Sequence, residues 1–261
     1  MYEFINNTMR KAAEIMLEAD DISSKVKAKP GDANFVTAYD VAVEKYLTEE
    51  LTKQLPDASV IGEEEAAENT SALKGGLYFI IDPIDGTTNF IKGFQHSAIS
   101  VGLAKDGELI MGAVLDPDLN NLFYAEKGKG AFLNGKPIHA SNCNLEHSLV
   151  LFGTCPYEHE LAKKTFKLTE QVFYRCLEVR RGGSAALDIC YVAAGKADLY
   201  YELILRPWDF AGATIILREA GGFCKTVEHG EIDCGKISSY VCGNKNNLEE
   251  FFETADGILQ P

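Results

Sequence analysis

Long apolar runs are missing from this 261-residue chain. The longest, such as "LYFII" and "YVAAG", fall far short of the roughly 20 residues that cross a bilayer. The opening "MYEFINNTMRKAAEIMLEADD" lacks the charged-then-apolar layout of a secretory signal, so a cytoplasmic protein is expected. Paired cysteines are missing as well. The seven present (Cys143, Cys155, Cys176, Cys190, Cys224, Cys234 and Cys242) are odd in number and contain no CxxC. That removes zinc-site spacing and argues against a disulfide framework; reduced, mostly buried thiols are expected instead. Positive charge is scarce, with 25 Lys and Arg against 39 Asp and Glu and a net charge of −14. Such a chain repels phosphate backbones and acidic membranes, so neither nucleic acid nor membrane is an expected partner. The acid excess can serve solubility, form a solvated face, or face cations that the formal count omits.

Several chemical signatures are also lacking. No GxxxxGK phosphate loop and no GxSxG elbow occur, so P-loop and serine-nucleophile chemistry lose their usual support. "GKGAFLNG" starts like a dinucleotide fingerprint but carries Leu133 where the third glycine belongs. "DPDLNN" opens like a calcium loop, yet its twelfth position is Lys127 where a bidentate Glu is required. "HELAK" has no second His to make a zinc-protease helix. No internal repeat, low-complexity tract or long linker divides the chain.

What remains is a globular composition, 46% hydrophobic and 25% charged, with readable periodicity. Phe4, Ile5, Met9, Ala12, Ala13, Met16 and Leu17 recur at helical spacing over residues 3–19. Residues 40–54 predict a second helix with Asp40 at its start. Residues 77–82 predict a strand, and "SAISVGLAKDGELIMGAVLD" a hairpin turning at Asp106-Gly107. From about residue 145 strands and helices alternate, so we expect an N-terminal α+β half (1–145) and a C-terminal α/β half (146–261) packed as one unit. Stacked sheets and helices are expected, not a simple doubly wound sheet.

One stretch asks for chemistry. "FIIDPIDGTTNF" aims Asp82 and Asp85 from the end of a buried strand, with Pro83 turning the chain at once and "GTTN" supplying amides and hydroxyls. Read alone it is equally a routine Asp-Gly turn. Amides at such a turn favour an anion, and two carboxylates beside an anion call for hard divalent cations, of which Mg²⁺ is the commonest. "VIGEEEAA" adds Glu63, Glu64 and Glu65, readable also as a solvated loop. Asp209 opens the apolar "DFAGATIILREAGG", where an N-cap is the plainer role.

Together "GEE" at 62–64, "DPIDGTTNF" at 82–90 and "WDFAGA" at 208–213 resemble the inositol monophosphatase family, in its order and spacing and over nearly the whole chain. The resemblance implies a layered αβαβα sandwich, of the inositol monophosphatase and fructose-1,6-bisphosphatase type. It implies a Mg²⁺-dependent phosphate-monoester hydrolase, lithium-sensitive and homodimeric, with two to three ions per site. Glu63, Asp82, Asp85, Asp209 and the Ile84 carbonyl would be metal ligands. Thr87 would orient the water and Asp40 would hold Thr87; Gly86 and Thr87, with Asp85, would sit against the phosphate. Ser184, Ala185 and Glu202 would contact the substrate, with Lys29, Glu64, Arg181 and Arg206 as further candidates.

The chain departs from the family pattern on the leaving-group side, with Leu203 and Ile204 after Glu202 and with Gly182 before the loop glycine. An inositol 1-phosphate is the expected substrate. Fructose 1,6-bisphosphate, 3′-phosphoadenosine 5′-phosphate or another small phosphorylated metabolite stands as the alternative. A regulatory binding protein that retains the fold is the non-enzyme alternative.

Overall fold

The computed structural model describes residues 1–28, 35–64, 73 and 75–259. In chain order the elements are α1 (Tyr2–Leu17), β1 (Val26–Ala28), β2 (Phe35–Thr37), α2 (Ala38–Gln54), β3 (Ala58–Gly62), β4 (Leu77–Asp85) and α3 (Thr87–Lys92). The meander β5 (Ala98–Lys105), β6 (Glu108–Asp116), β7 (Asn121–Glu126), β8 (Ala131–Leu133) and β9 (Lys136–Ile138) follows. The C-terminal part contains β10 (Leu149–Phe152), α4 (His159–Phe173), β11 (Glu178–Arg180), α5 (Ala185–Ala193), β12 (Leu199–Leu205) and α6 (Pro207–Glu219). It ends with β13 (Phe223–Lys225), β14 (Ser238–Gly243) and α7 (Lys245–Leu259). No described helix is long and apolar enough to cross a membrane.

Two sheets carry the fold. The first is seven-stranded, in the order β3-β4-β5-β6-β7-β8-β9, and the second five-stranded, β11-β10-β12-β14-β13. Side chains alternate across each strand, and here both faces are buried. On β4, Phe79 and Ile81 pack with Ile5, Met9 and Leu47 of α1 and α2. Ile80 between them points the other way, into a core shared with α5, α6 and Tyr200 of the second sheet. On β12 Tyr201 faces outward with Leu168 of α4 and Phe251 of α7. The layers therefore run helix, sheet, helix, sheet, helix, as the resemblance implies. A strand buried on both faces reads as a continuous apolar run, which is why "LYFII" carries no polar alternation.

Two local expectations are corrected. The chain does not turn at Pro83: β4 continues to Asp85, with a register shift against β5 between Asp82 and Asp85. A bulge of this kind re-aims side chains next to a site. Neither Asp40 nor Asp209 is an N-cap. Thr37 caps α2, with Asp40 three residues on completing a capping box, and α6 starts earlier, at Pro207.

Helix α6 lies directly on the first sheet. Gly102 and Gly112 face each other across β5 and β6, and a Cβ on Gly112 would stand 2.1 Å from the Gly212 carbonyl oxygen. This close approach seats the middle of α6 on β5 and β6. Alanine at 112 should force the helix off the sheet and cost roughly 1–3 kcal/mol by overpacking. Urea denaturation of Gly112→Ala checks this, and an unchanged midpoint would refute the tight seat of α6.

Candidate active site

Parallel pairing assembles one edge of the molecule. β10 runs parallel to both β11 and β12, so all three end on the same side. The helices that follow β11 and β12, α5 and α6, both start there. The C-terminal end of β4 is tied to that edge by Asp85. Its carboxylate accepts from the Ser184 hydroxyl (2.5 Å) and from the amides of Ala186 (2.7 Å) and Ala185 (3.3 Å). Ser184 is the N-cap of α5 and is fully buried. Ser184 and Ala185, expected at the substrate, are thus held by Asp85.

The "DPIDGTT" turn is organised by its own side chains. Asp82 Oδ1 accepts from the Ile84 amide at 3.0 Å. The Thr87 hydroxyl lies 3.1 Å from the Ile84 carbonyl oxygen and 3.3 Å from Asp40 Oδ1, so the predicted pairing of Thr87 with Asp40 is present. Asp40 is fixed in turn by the amide (2.7 Å) and hydroxyl (2.5 Å) of Thr37. Gly86 has φ +88°, and a Cβ there would stand 3.0 Å from the Gly183 carbonyl oxygen; only glycine suits this corner.

Glu63 follows β3, its amide bonded to the Ile81 carbonyl at 3.2 Å. Beneath it the buried Glu44 carboxylate accepts from the Glu64 amide at 3.0 Å and fills the space where a Cβ on Gly62 would go. Asp209 Oδ2 accepts from the Arg206 amide at 2.6 Å. Glu202 is buried, with Oε1 taken by the Cys155 amide (2.9 Å) and Oε2 by the Tyr200 hydroxyl (2.6 Å). Arg206 lies over the Tyr157 ring at 4.8 Å, and the Arg181 guanidinium stands beside Gly183. Lys29 lies outside the described residues.

Like charge accumulates here. Burial raises Asp82 well above the usual carboxylate range, and the Glu63, Asp85, Asp209 and Asp40 charges add to the effect. Burial likewise raises Asp209, with Asp85 and Glu63 adding to it. Asp85 is pushed by burial to about 7 despite its three donors, and Asp40 to about 6. Among the described residues no three His, Cys, Asp or Glu side chains stand together so as to hold a metal ion as placed. The donor set nonetheless suits a hard divalent cation, which takes oxygen ligands and completes its shell with water. It would relieve the repulsion among these desolvated carboxylates.

Some participants escaped the sequence reading. Glu44 had a signal, standing four residues after Asp40 on one helix face. Asn89 donates to the carbonyls of His96 (2.7 Å) and Gly182 (3.0 Å), and His96 pairs with Asp188 at 3.3 Å. A Cβ on Gly182 would stand 2.1 Å from Asp188 Oδ1, which accounts for that departure. These contacts join distant segments, so no local pattern announces them.

The sequence profile of the Inositol monophosphatase family matches residues 1–260. The Nus factor SuhB of Escherichia coli K12 is 37% identical over 240 residues, 90% of this chain and 88% of that protein. An IMPase of Thermotoga maritima superposes with a TM-score of 0.88 at 31% identity, covering 99% of this chain and 98% of its own. SaIMPase-II of Staphylococcus aureus bound to inositol monophosphate superposes at 0.80 with 27% identity, covering 97% and 92%. The same relative bound to 2′AMP gives 0.82 at 27%, covering 99% and 96%. In sequence and architecture alike, the chain belongs to the inositol monophosphatase family.

Proposed function

We propose that this chain is a Mg²⁺-dependent phosphate-monoester hydrolase that acts on a polyol phosphate, inositol 1-phosphate first, by direct attack of water without a phosphoenzyme. The observation that carries it is the burial of Asp82, Asp85 and Asp209 and the repulsion of Asp82 and Asp209 with Asp85 and Glu63, beside the Thr87–Asp40 hydrogen bond. These four carboxylates and the Ile84 carbonyl would hold two to three Mg²⁺ ions. When bound, such ions supply a lowered water pKa and charge stabilisation for the ester oxygens.

The chain's own groups do the rest. The Thr87 hydroxyl points its proton toward Asp40 and Ile84, which leaves its lone pairs for a proton of the attacking water. As the water oxygen bonds to phosphorus, that proton passes to Thr87 and the Thr87 proton to Asp40, while the bond from phosphorus to the ester oxygen breaks and the departing alkoxide takes a proton from a second water. Asp40, at about 6, is ionised at neutral pH and able to accept it. Glu63 holds the water from its other side, while the amides of Gly86 and Thr87 cradle phosphate oxygens. The leaving alcohol lies against the ends of β10, β11 and β12. The two halves, divided near residue 145, act as one unit because the ligands come from both. A homodimeric, lithium-sensitive, cytoplasmic enzyme without a nucleic-acid partner completes the reading, on family resemblance and the net charge of −14.

The Nus factor name of the curated relatives favours a second reading, a binding protein that retains the fold. The intact carboxylate set favours the enzyme. Phosphate release from inositol 1-phosphate, 2′AMP and fructose 1,6-bisphosphate should vanish with chelator and return with Mg²⁺, with the inositol ester fastest. No release from any ester would leave the binding reading; full activity in excess chelator would end the metal mechanism.

Removing a group that merely supports a ligand costs about 10–100-fold, so Asp82→Asn or Asp209→Asn should lose at least about two orders of magnitude in kcat. The metal-free variants should melt no lower than wild type, because a buried like charge has gone. Wild-type turnover in either variant would remove that residue from the site.

The raised carboxylates also set a pH dependence. An unfolded Asp titrates near 3.9, whereas Asp40 and Asp85 titrate at about 6 and about 7 in the fold. Their contribution to metal-free stability is full below the unfolded value and is lost as pH rises through the folded ones. Metal binding needs the deprotonated forms. Mg²⁺ should therefore raise the melting temperature more at pH 8 than at pH 5; the reverse order in calorimetry would contradict this electrostatic account.

A further inference from the structure

The end of β10 carries a built feature that the proposed reaction does not use. After Gly153 the chain is locked to β12 and the residues beyond it. The Gly153 amide bonds to the Tyr201 carbonyl at 2.9 Å, the Cys155 amide to Glu202 at 2.9 Å, and the Cys155 thiol to the Ile204 carbonyl at 3.3 Å. Cys155 is fully buried and has φ +44°, a left-handed conformation unusual for a residue other than glycine. Pro156 and Tyr157 follow this bend. There the Arg206 guanidinium sits 4.8 Å above the Tyr157 ring centre, a contact that fixes the ring.

The hydroxyl of this ring differs from those of the core tyrosines. Tyr200 donates to Glu202, Tyr201 pairs with Thr169 and Tyr240 with Thr214. Tyr157 is half-buried, and among the described residues its hydroxyl has no hydrogen-bond partner, so it stands open to a ligand. The charges of Asp209, a proposed metal ligand, of Glu202, the acid at the strand end, and of Arg206 all act on it. Glu202 itself has both oxygens occupied and its carboxylate lies where a Gly153 Cβ would stand.

We propose that the Tyr157 hydroxyl, on a ring held under Arg206, reads an oxygen of the leaving alcohol, with Glu202 behind it as support. The assignment rests on the phosphatase reading above. One phenolic O–H with free lone pairs both donates to and accepts from a substrate hydroxyl, so the preferred leaving group is a polyol. An aryl ester offers nothing to match it.

The test compares kcat/KM for inositol 1-phosphate and phenyl phosphate in wild type, Tyr157→Phe and Glu202→Gln. Tyr157→Phe keeps the ring and its stacking. It should lower the inositol-to-phenyl ratio about three- to tenfold, mainly through KM, as one neutral hydrogen bond made alike in ground and transition states. A general loss of packing would lower both esters equally. An unchanged or increased ratio in Tyr157→Phe overturns the assignment. A ratio that falls only in Glu202→Gln also overturns it, because the acid is then the reader. Wild-type protein that releases phosphate from neither ester ends the phosphatase reading and this assignment with it, a result visible before any variant is made.

Discussion

The carboxylate of Asp85 is the joint on which the two halves of the site depend. It reaches from the bulged end of β4 to the hydroxyl of Ser184 and the first amides of α5. A carboxylate at a helix N-terminus satisfies otherwise unpartnered amides and meets the positive end of the helix dipole. Because the partners lie 99 to 101 residues apart in sequence, this cluster ties the end of β4 to the start of α5, beside the apolar core that the two sheets share. It also spends most of the Asp85 hydrogen-bonding capacity on architecture.

The electrostatics and the packing act together. Like charges brought out of water repel strongly, and burial prevents solvent from screening them. The fold accepts this because the carboxylates sit at the ends of elements that are rigid for other reasons. β4 is apolar on both faces, and α6 is seated through Gly112 and Gly212 at backbone contact. A site on such elements keeps its geometry better than one carried on loops.

A good part of this was legible in the residues. The apolar spacing of α1, the Asp106-Gly107 hairpin and the strand–helix alternation after residue 145 follow from local periodicity, and each element appears where its pattern lies. "DPIDGTTNF" was legible as a candidate site because two acids, a glycine and hydroxyls are concentrated in one short segment. Helix starts were misplaced at Asp40 and Asp209. A capping-box acid and an N-cap acid look alike in sequence, and only backbone geometry separates them.

By itself the sequence determined which elements form, that sheets and helices stack, and that Asp82 and Asp85 stand together at the end of a buried strand. These depend on side-chain type and on spacing within about ten residues, the range over which helix and strand periods operate. Tertiary structure alone decided that Ser184 serves Asp85, that Glu44 fills the place of a Gly62 side chain, and that Glu202 is bonded to Tyr200 and Cys155. It also decided that Tyr157 is left with an open hydroxyl. Each of these is a pairing of polar groups brought together by the stacking of two sheets. A polar group must find some partner when buried, but which partner it finds is set by three-dimensional proximity, and nothing in the local order of residues encodes it.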